Sequence, residues 1–338
     1  MRMKKFGFGK VVLCGALIVC TATTSAFALP ASDLEMRDDL PVASQPMDEI
    51  KNDEPKRRDF IKWIDFNVTA GILSKVTKSH KILIENGITD IGSAELLAYL
   101  AVKNGNKFST ARDSVTLDKL VNQLKKGERE AIDKYAENKY FIYYVKSFHA
   151  VLDGIIDRNS GEVIGKHPIA RGFWHSGFDD FGMGRNYGFK RKHLGHDLYG
   201  GVGTPIIAME GGTITELGWN QYGGWRVGIT SEDSMRYYYY AHLRKDKPFP
   251  LDMQKGDKVE SGQVIGFLGN TGYSRKKNKN MSSAKPHLHF GMQIIFDESQ
   301  KDGNGEIWID VYQICKFLER SKVKVEKNAD NEWESYLL

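Results

Sequence analysis

The sequence predicts an α+β protein, with a mainly helical N-terminal part followed by an antiparallel all-β part. Two observations carry this. Between about Phe60 and Asp157, apolar residues recur at helical spacing. After about Gly161, glycine becomes frequent and short apolar runs alternate with turns. The 338 residues suit two domains, or one with a large extension, and an apolar content of 41% is enough for a packed core.

The first 28 residues have the form of a signal peptide. Arg2, Lys4, Lys5 and Lys10 precede the apolar run Val11 to Ala22, and Ala26-Phe27-Ala28 offers a small-residue cleavage site. Retention as a membrane anchor is the alternative, because the 19 residues from Val11 to Leu29 are uncharged and near bilayer-spanning length. A lipid anchor at Cys20 is less well supported, since bulky Val19 precedes it. The chain is formally +5, but without this segment 44 basic residues face 43 acidic ones. The charge therefore gives no argument for a nucleic-acid partner. Cys14 and Cys20 lie in the apolar run, which leaves Cys315 alone and permits no internal disulfide after cleavage.

Residues 29–58 are rich in Pro, Asp, Glu, Lys and Arg and read as a flexible linker. In the helical part, residues 59–160, the run Ser93 to Leu100 forms helix readily, with Ser93 as its expected cap. Leu117, Leu120, Val121 and Leu124 make one apolar helix stripe, and Phe141 to Ile156 is a further helical segment. His80 and His149 stand isolated in sequence and read as ordinary surface or core histidines. In the β part, residues 161–322, the expected strands are Gly203 to Ala208, Gly212 to Leu217, Trp225 to Thr230, Met235 to Tyr240 and Gln263 to Leu268. The charged tail, residues 323–338, is expected to fray.

The chemistry gathers in the β part. His287 and His289 are two apart among apolar residues, so on a strand both imidazoles share one face while Leu288 and Phe290 turn to the core. His193 and Asp197 form a second pair, four apart. His196 falls on the opposite face of a strand from His193 and is excluded as a ligand. His242 ends the aromatic strand Tyr239-Tyr240-Ala241. Three of these side chains suffice for a catalytic zinc with an open fourth position, and the remaining histidines then suit proton transfer to and from a water. Asp179-Asp180 reads as a turn rather than a metal site. Trp219, Tyr222, Trp225 and Tyr237 to Tyr240 either line a groove or half-bury on strands. Arg275 to Lys279 read as an exposed basic loop.

These residues stand in an ordered series: His193-x-Gly195-x-Asp197, Gly203-Thr204-Pro205, Tyr240-Ala241-His242-Leu243, Gly256-Asp257, Gly262-Gln263-x-Ile265-Gly266, Gly269-x-Thr271-Gly272 and His287-Leu288-His289-Phe290. The series closely resembles the lysostaphin/LytM-type zinc metallopeptidases across roughly residues 175–295. The resemblance implies an antiparallel β fold with a narrow groove over one zinc ion, and cleavage of peptide bonds in peptidoglycan stems or cross-links. Carried over position by position, it implies His193, Asp197 and His289 as metal ligands, with His242 and His287 as catalytic, non-ligand histidines. Gly291 departs from the pattern, standing where many relatives carry an acidic residue. The helical part has no counterpart in the resemblance. A non-catalytic scaffold or cell-wall-binding module on the same fold, and a zinc peptidase acting on proteins, are the alternative functions.

Overall fold

The computed structural model describes residues 60–335, apart from 187–189, 283, 302, 304, 330 and 332. The expected signal segment and the linker lie outside the described residues. Five helices come first: α1 (Ala70–Glu85), α2 (Ser93–Asn104), α3 (Thr110–Lys125), α4 (Glu130–Asp133) and α5 (Lys139–Leu152). Side-chain oxygens cap two of them. Thr69 accepts from the Ile72 amide at the start of α1, and Asn138 accepts from Tyr140 and Phe141 at the start of α5. For α2 the cap lies one residue earlier than expected. Gly92 precedes the helix and donates its N–H to Glu95 Oε2 at 2.9 Å, while Ser93 is the first helical residue and its hydroxyl meets His80 Nδ1. The stripe Leu117, Leu120, Val121 and Leu124 is buried, as its spacing predicts.

The strands follow: β1 (His175–Ser176), β2 (Gly184–Asn186), β3 (Lys190–Lys192), β4 (His196–Gly200), β5 (Pro205–Ile207), β6 (Gly212–Asn220), β7 (Gly224–Ser231), β8 (Arg236–Ala241), β9 (Lys258–Val259), β10 (Val264–Phe267), β11 (His287–Ile294) and β12 (Ile307–Ile309). The main sheet runs β1-β4-β11-β8-β7-β6-β9, with β12 extending the β4 edge of β11. Every pairing is antiparallel, so the molecule is α+β. Strand β11 runs through the middle of the sheet. Its Leu288, Phe290, Met292 and Ile294 are fully buried, which fixes the register, because a one-residue slip would turn those side chains out of the core.

A single apolar core takes in residues of both the helices and the sheet. Buried Arg236 on β8 also crosses between them. It donates to the Ala150 carbonyl at 3.0 Å and makes a two-pronged pair with Glu210 at 2.7 and 3.0 Å.

The C-terminal stretch differs from expectation. A short helix, α6 (Tyr312–Phe317), buries Ile314 and Cys315, and a 3-10 turn follows at Leu318–Ser321. Beyond it the described residues of the charged tail, expected to fray, are ordered into strands. Strands β13 (Val325–Lys327) and β14 (Trp333–Ser335) form a hairpin. Val323, Val325 and Trp333 pack it on Ala170, Ile207, Val264 and Phe267, so a few apolar residues anchor a segment whose charges point to solvent. Among the described residues no helix is long and apolar enough to cross a membrane.

Candidate metal centre

Register assembles the centre. In the β4–β11 ladder His289 lies opposite Asp197, and on the other side of β11 it lies opposite Ala241, the residue before His242. His287 sits two residues from His289 on the same face. His193 does not lie on β4 with Asp197. It precedes β4 and is brought in by the turn at Leu194-Gly195. Gly195 permits this approach, because a Cβ there would sit 2.6 Å from the Phe290 carbonyl and 2.7 Å from the His289 ring.

Three ligand-type atoms converge. His193 Nε2 lies 2.8 Å from His289 Nδ1, and Asp197 Oδ1 lies 3.1 Å from the first and 3.2 Å from the second. These side chains can hold a metal ion together, and two imidazoles with one carboxylate are a donor set that suits zinc. The other carboxylate oxygen, Asp197 Oδ2, accepts from Arg185 at 2.7 Å. Burial alone would raise the Asp197 carboxyl, but hydrogen bonds from His193 and His289 hold it far below the carboxylate range, so it stays ionised.

His242 and His287 face the group without joining it. The His242 Nδ1 lies 2.8 Å from the Thr271 carbonyl, and the His287 Nδ1 lies 2.7 Å from the Lys285 carbonyl. Donation to those carbonyls places the proton on Nδ1 and leaves each Nε2 lone pair open. The two rings are 4.8 Å apart, and His287 Nε2 is 3.9 Å from Asp197 Oδ1. His242 holds a left-handed backbone, φ 61°, which is strained for a residue with a Cβ and is kept by its amide bonding the Gly223 carbonyl. Burial, reinforced by His287 and His289, holds His242 well below the usual histidine range and therefore neutral.

Asp180, read from sequence as a turn residue, is a buried carboxylate behind the centre. Its oxygens meet His193 Nδ1 at 3.1 Å, His196 Nδ1 at 3.3 Å and Arg185 at 2.8 Å. It therefore fixes the His193 tautomer that directs Nε2 at the centre. His196 turns away from the three converging atoms, toward Asp180 and the Tyr312 ring. At Gly291 the Trp308 ring fills the space, 2.8 Å from where a Cβ would stand, so this chain has no room for an acidic side chain there.

The centre forms the floor of a cleft of about 960 Å3 lined by Trp174, Tyr199, Tyr273, Met281, Arg185, Arg191 and Lys285 among others. None of the aromatic residues singled out from sequence lines the cleft, although Tyr239 packs edge to face on His289 with ring centroids 5.8 Å apart. Tyr238 and Tyr240 are core, while Trp219 and Trp225 pack edge to face on each other. The groove aromatics Trp174, Tyr199 and Tyr273 come from three separated segments, and no sequence spacing connects them. Arg191 stacks over Tyr273 at 5.1 Å, and its buried Nε has no hydrogen-bond partner.

Residues 191–302 match the model of Peptidase family M23. An L-Ala–D-Glu endopeptidase of Bacillus subtilis (strain 168) is 33% identical over 147 residues, covering 44% of this chain and 41% of that protein. Glycyl-glycine endopeptidase ALE-1 of Staphylococcus capitis is 37% identical over 115 residues, covering 34% of this chain and 27% of that protein. Among solved structures, the catalytic domain of the antimicrobial peptidase lysostaphin from Staphylococcus simulans is 31% identical, with 43% of this chain and 92% of that one covered and a TM-score of 0.30. The chain thus spans less than half the length of the two curated relatives.

Proposed function

We propose that this chain, whose residues 191–302 match Peptidase family M23, is an exported zinc endopeptidase that hydrolyses peptide bonds in bacterial peptidoglycan. One observation carries the reading. Three ligand atoms converge within 3.2 Å of one another beside two histidines whose Nε2 lone pairs are open.

In this reading His193 Nε2, Asp197 Oδ1 and His289 Nδ1 hold one zinc ion. Bound there, zinc supplies Lewis acidity, which lowers the pKa of a coordinated water to about 7 and polarises a carbonyl. The chain's own residues do the rest. His242 and His287 take a proton at Nε2 and return it to the leaving amine. Thr271 and Lys285 hold those rings in the required tautomer through their carbonyls. Asp180 orients His193. Arg185, Arg191 and Lys285 make the cleft cationic, which suits a peptide carrying carboxylates, and Trp174, Tyr199 and Tyr273 offer apolar faces to its stem.

The test incubates the purified protein with peptidoglycan, with and without chelator, and follows fragments by mass spectrometry. New amino termini that vanish with chelator are the expected result. No cleavage of any wall type, with the His289→Ala variant behaving as wild type, would favour the scaffold.

A further inference from the structure

A second convergence of the same donor types lies outside the cleft. His167 belongs to the extended segment before β1, His175 lies on β1, and Glu319 lies in the 3-10 turn after α6. The Nε2 atoms of both histidines are 3.5 Å from one and the same oxygen, Glu319 Oε2, and the two rings are 4.9 Å apart. Nothing in the chemistry proposed above uses any of the three.

We propose that His167, His175 and Glu319 form a second transition-metal site, of zinc type, that pins the C-terminal segment to strand β1.

Four observations support it. First, the spacing fits, because ligands at about 2.0–2.2 Å from a tetrahedral zinc stand roughly 3.3–3.6 Å from one another, and here both nitrogen–oxygen distances are 3.5 Å. Second, the His167 ring is held in place for ligation. The Ile169 amide donates to its Nδ1 at 3.0 Å, which directs Nε2 and its proton at Glu319 Oε2; a metal at Nε2 displaces that proton, and the Ile169 carbonyl, 3.2 Å from Nδ1, is placed to accept from Nδ1 once the tautomer shifts. Third, His167 is almost fully buried, so its Nε2 faces Glu319 rather than solvent.

The fourth is a parallel with the first centre. There, Asp197 turns Oδ1 to two imidazoles and gives Oδ2 to the cation Arg185. Here, Glu319 turns Oε2 to two imidazoles and gives Oε1 to the cation Lys322. Lys322 Nζ also lies 3.3 Å from His175 Nδ1. A metal on His175 Nε2 requires the lysine to retreat from Nδ1, and Lys322 thereby weakens the site without blocking it.

The placement gives such an ion a purpose. Cys315 is a free, buried cysteine, so no disulfide ties the C-terminal segment down among the described residues. That segment meets the strand region at the Arg171 amide, which bonds the Val323 carbonyl at 2.8 Å. Strand β1 in turn pairs with β4, which carries Asp197, and Trp174 and Ser176 on either side of His175 line the cleft. A metal clip at this position braces the cleft wall from behind. It rests on the donor atoms alone and stands whether or not the chain cleaves peptidoglycan.

The experiment counts metal in the full chain. After equilibration with zinc and removal of free ion, wild type is expected to hold one ion more per chain than either Glu319→Gln or His289→Ala, and the double variant to hold none. In the His289→Ala background, added Co2+ is expected to give the strong visible absorption of a tetrahedral site, and Glu319→Gln to abolish it. Lys322→Met is expected to tighten binding at this site, a gain of function that a folding defect does not produce. Far-UV circular dichroism of the metal-free variants separates lost ligation from lost fold. Wild type and Glu319→Gln holding equal zinc, or no cobalt band in His289→Ala protein with native circular dichroism, overturns the proposal. Either result leaves the peptidase reading untouched, since that is judged on cleavage.

Discussion

In the helical part, His149 gives both ring nitrogens to carboxylates, Nε2 to Glu95 at 2.8 Å and Nδ1 to Asp153 at 2.9 Å. In the sheet, His242 and His287 engage only Nδ1, each with a backbone carbonyl, and turn Nε2 toward a cleft. The residue types are the same and the chemical outcomes are opposite. A histidine clamped between two carboxylates is held as a cation and adds stability, with no lone pair to offer. A histidine held at one nitrogen by a neutral carbonyl keeps a lone pair for a ligand or a proton. His193 also lies between two carboxylates, Asp180 and Asp197, so what separates structural from functional histidine here is what else converges on the second nitrogen: a further imidazole, His289, at His193, and the Glu95 carboxylate at His149.

The sharpest way to break this contrast is at the centre itself. His289→Ala removes one of the three converging atoms and is expected to lose the one zinc ion of this centre and reduce cleavage to background, read by metal analysis and peptidoglycan fragment release. His287→Ala is expected to leave zinc bound while lowering kcat about 10^2–10^4-fold, the range for a lost acid–base group. Equal metal loss in both variants would mean that the two histidines do not have separate jobs.

Parts of this contrast were legible in the chain and parts were not. The strand His287 to Ile294 was readable because Leu288 and Phe290 alternate with the histidines, and a period of two has one structural meaning. The helix stripe from Leu117 to Leu124 was readable for the same reason at period 3.6. Asp180 was not, because it sits in a loop where no periodicity says which way a side chain points, and only the fold brings it under His193. His149 looked isolated because Glu95 is 54 positions away on another helix. Helix α6 is six residues long, too short for a pattern to emerge. The tail hairpin was hidden by its charges, since three apolar residues are enough to seat it.

Asp180 sharpens the comparison at a smaller scale, since it is a carboxylate on a histidine within the centre. Unlike the carboxylates on His149, it takes only one nitrogen of His193 and leaves the other to converge with Asp197 and His289. Asp180→Asn keeps the size and weakens the acceptor. Zinc affinity or activity is expected to fall about 10–100-fold, the usual cost of losing a carboxylate behind a ligand histidine. Competition with a chelator of known affinity measures it, and an unchanged affinity would remove Asp180 from the centre's design.

The smallest expected effect belongs to His149 and is seen in stability rather than activity. Burial opposes its charge, but the hydrogen bonds it donates to Asp153 and Glu95 outweigh that and raise it to about 9 from 6.5. Arg158 pairs with Asp153 on the far side, and His80, which burial lowers, lies beside Glu95. Because the folded state binds the proton more tightly, the contribution is fully present below pH 6.5 and is lost as pH rises through about 9. Its size across that window is on the order of 2 kcal/mol, taken low because the side chain keeps some solvent contact. Urea midpoints for wild type are therefore expected to fall between pH 6.5 and 9, and those of His149→Gln to stay flatter over the same range. Cleavage by His149→Gln at pH 7, below its unfolding midpoint, is expected to match wild type, because no nitrogen of His149 reaches the cleft. Parallel midpoint curves for the two proteins would show that His149 does not carry its charge in the fold, and the contrast between clamped and open histidines would lose its helical half.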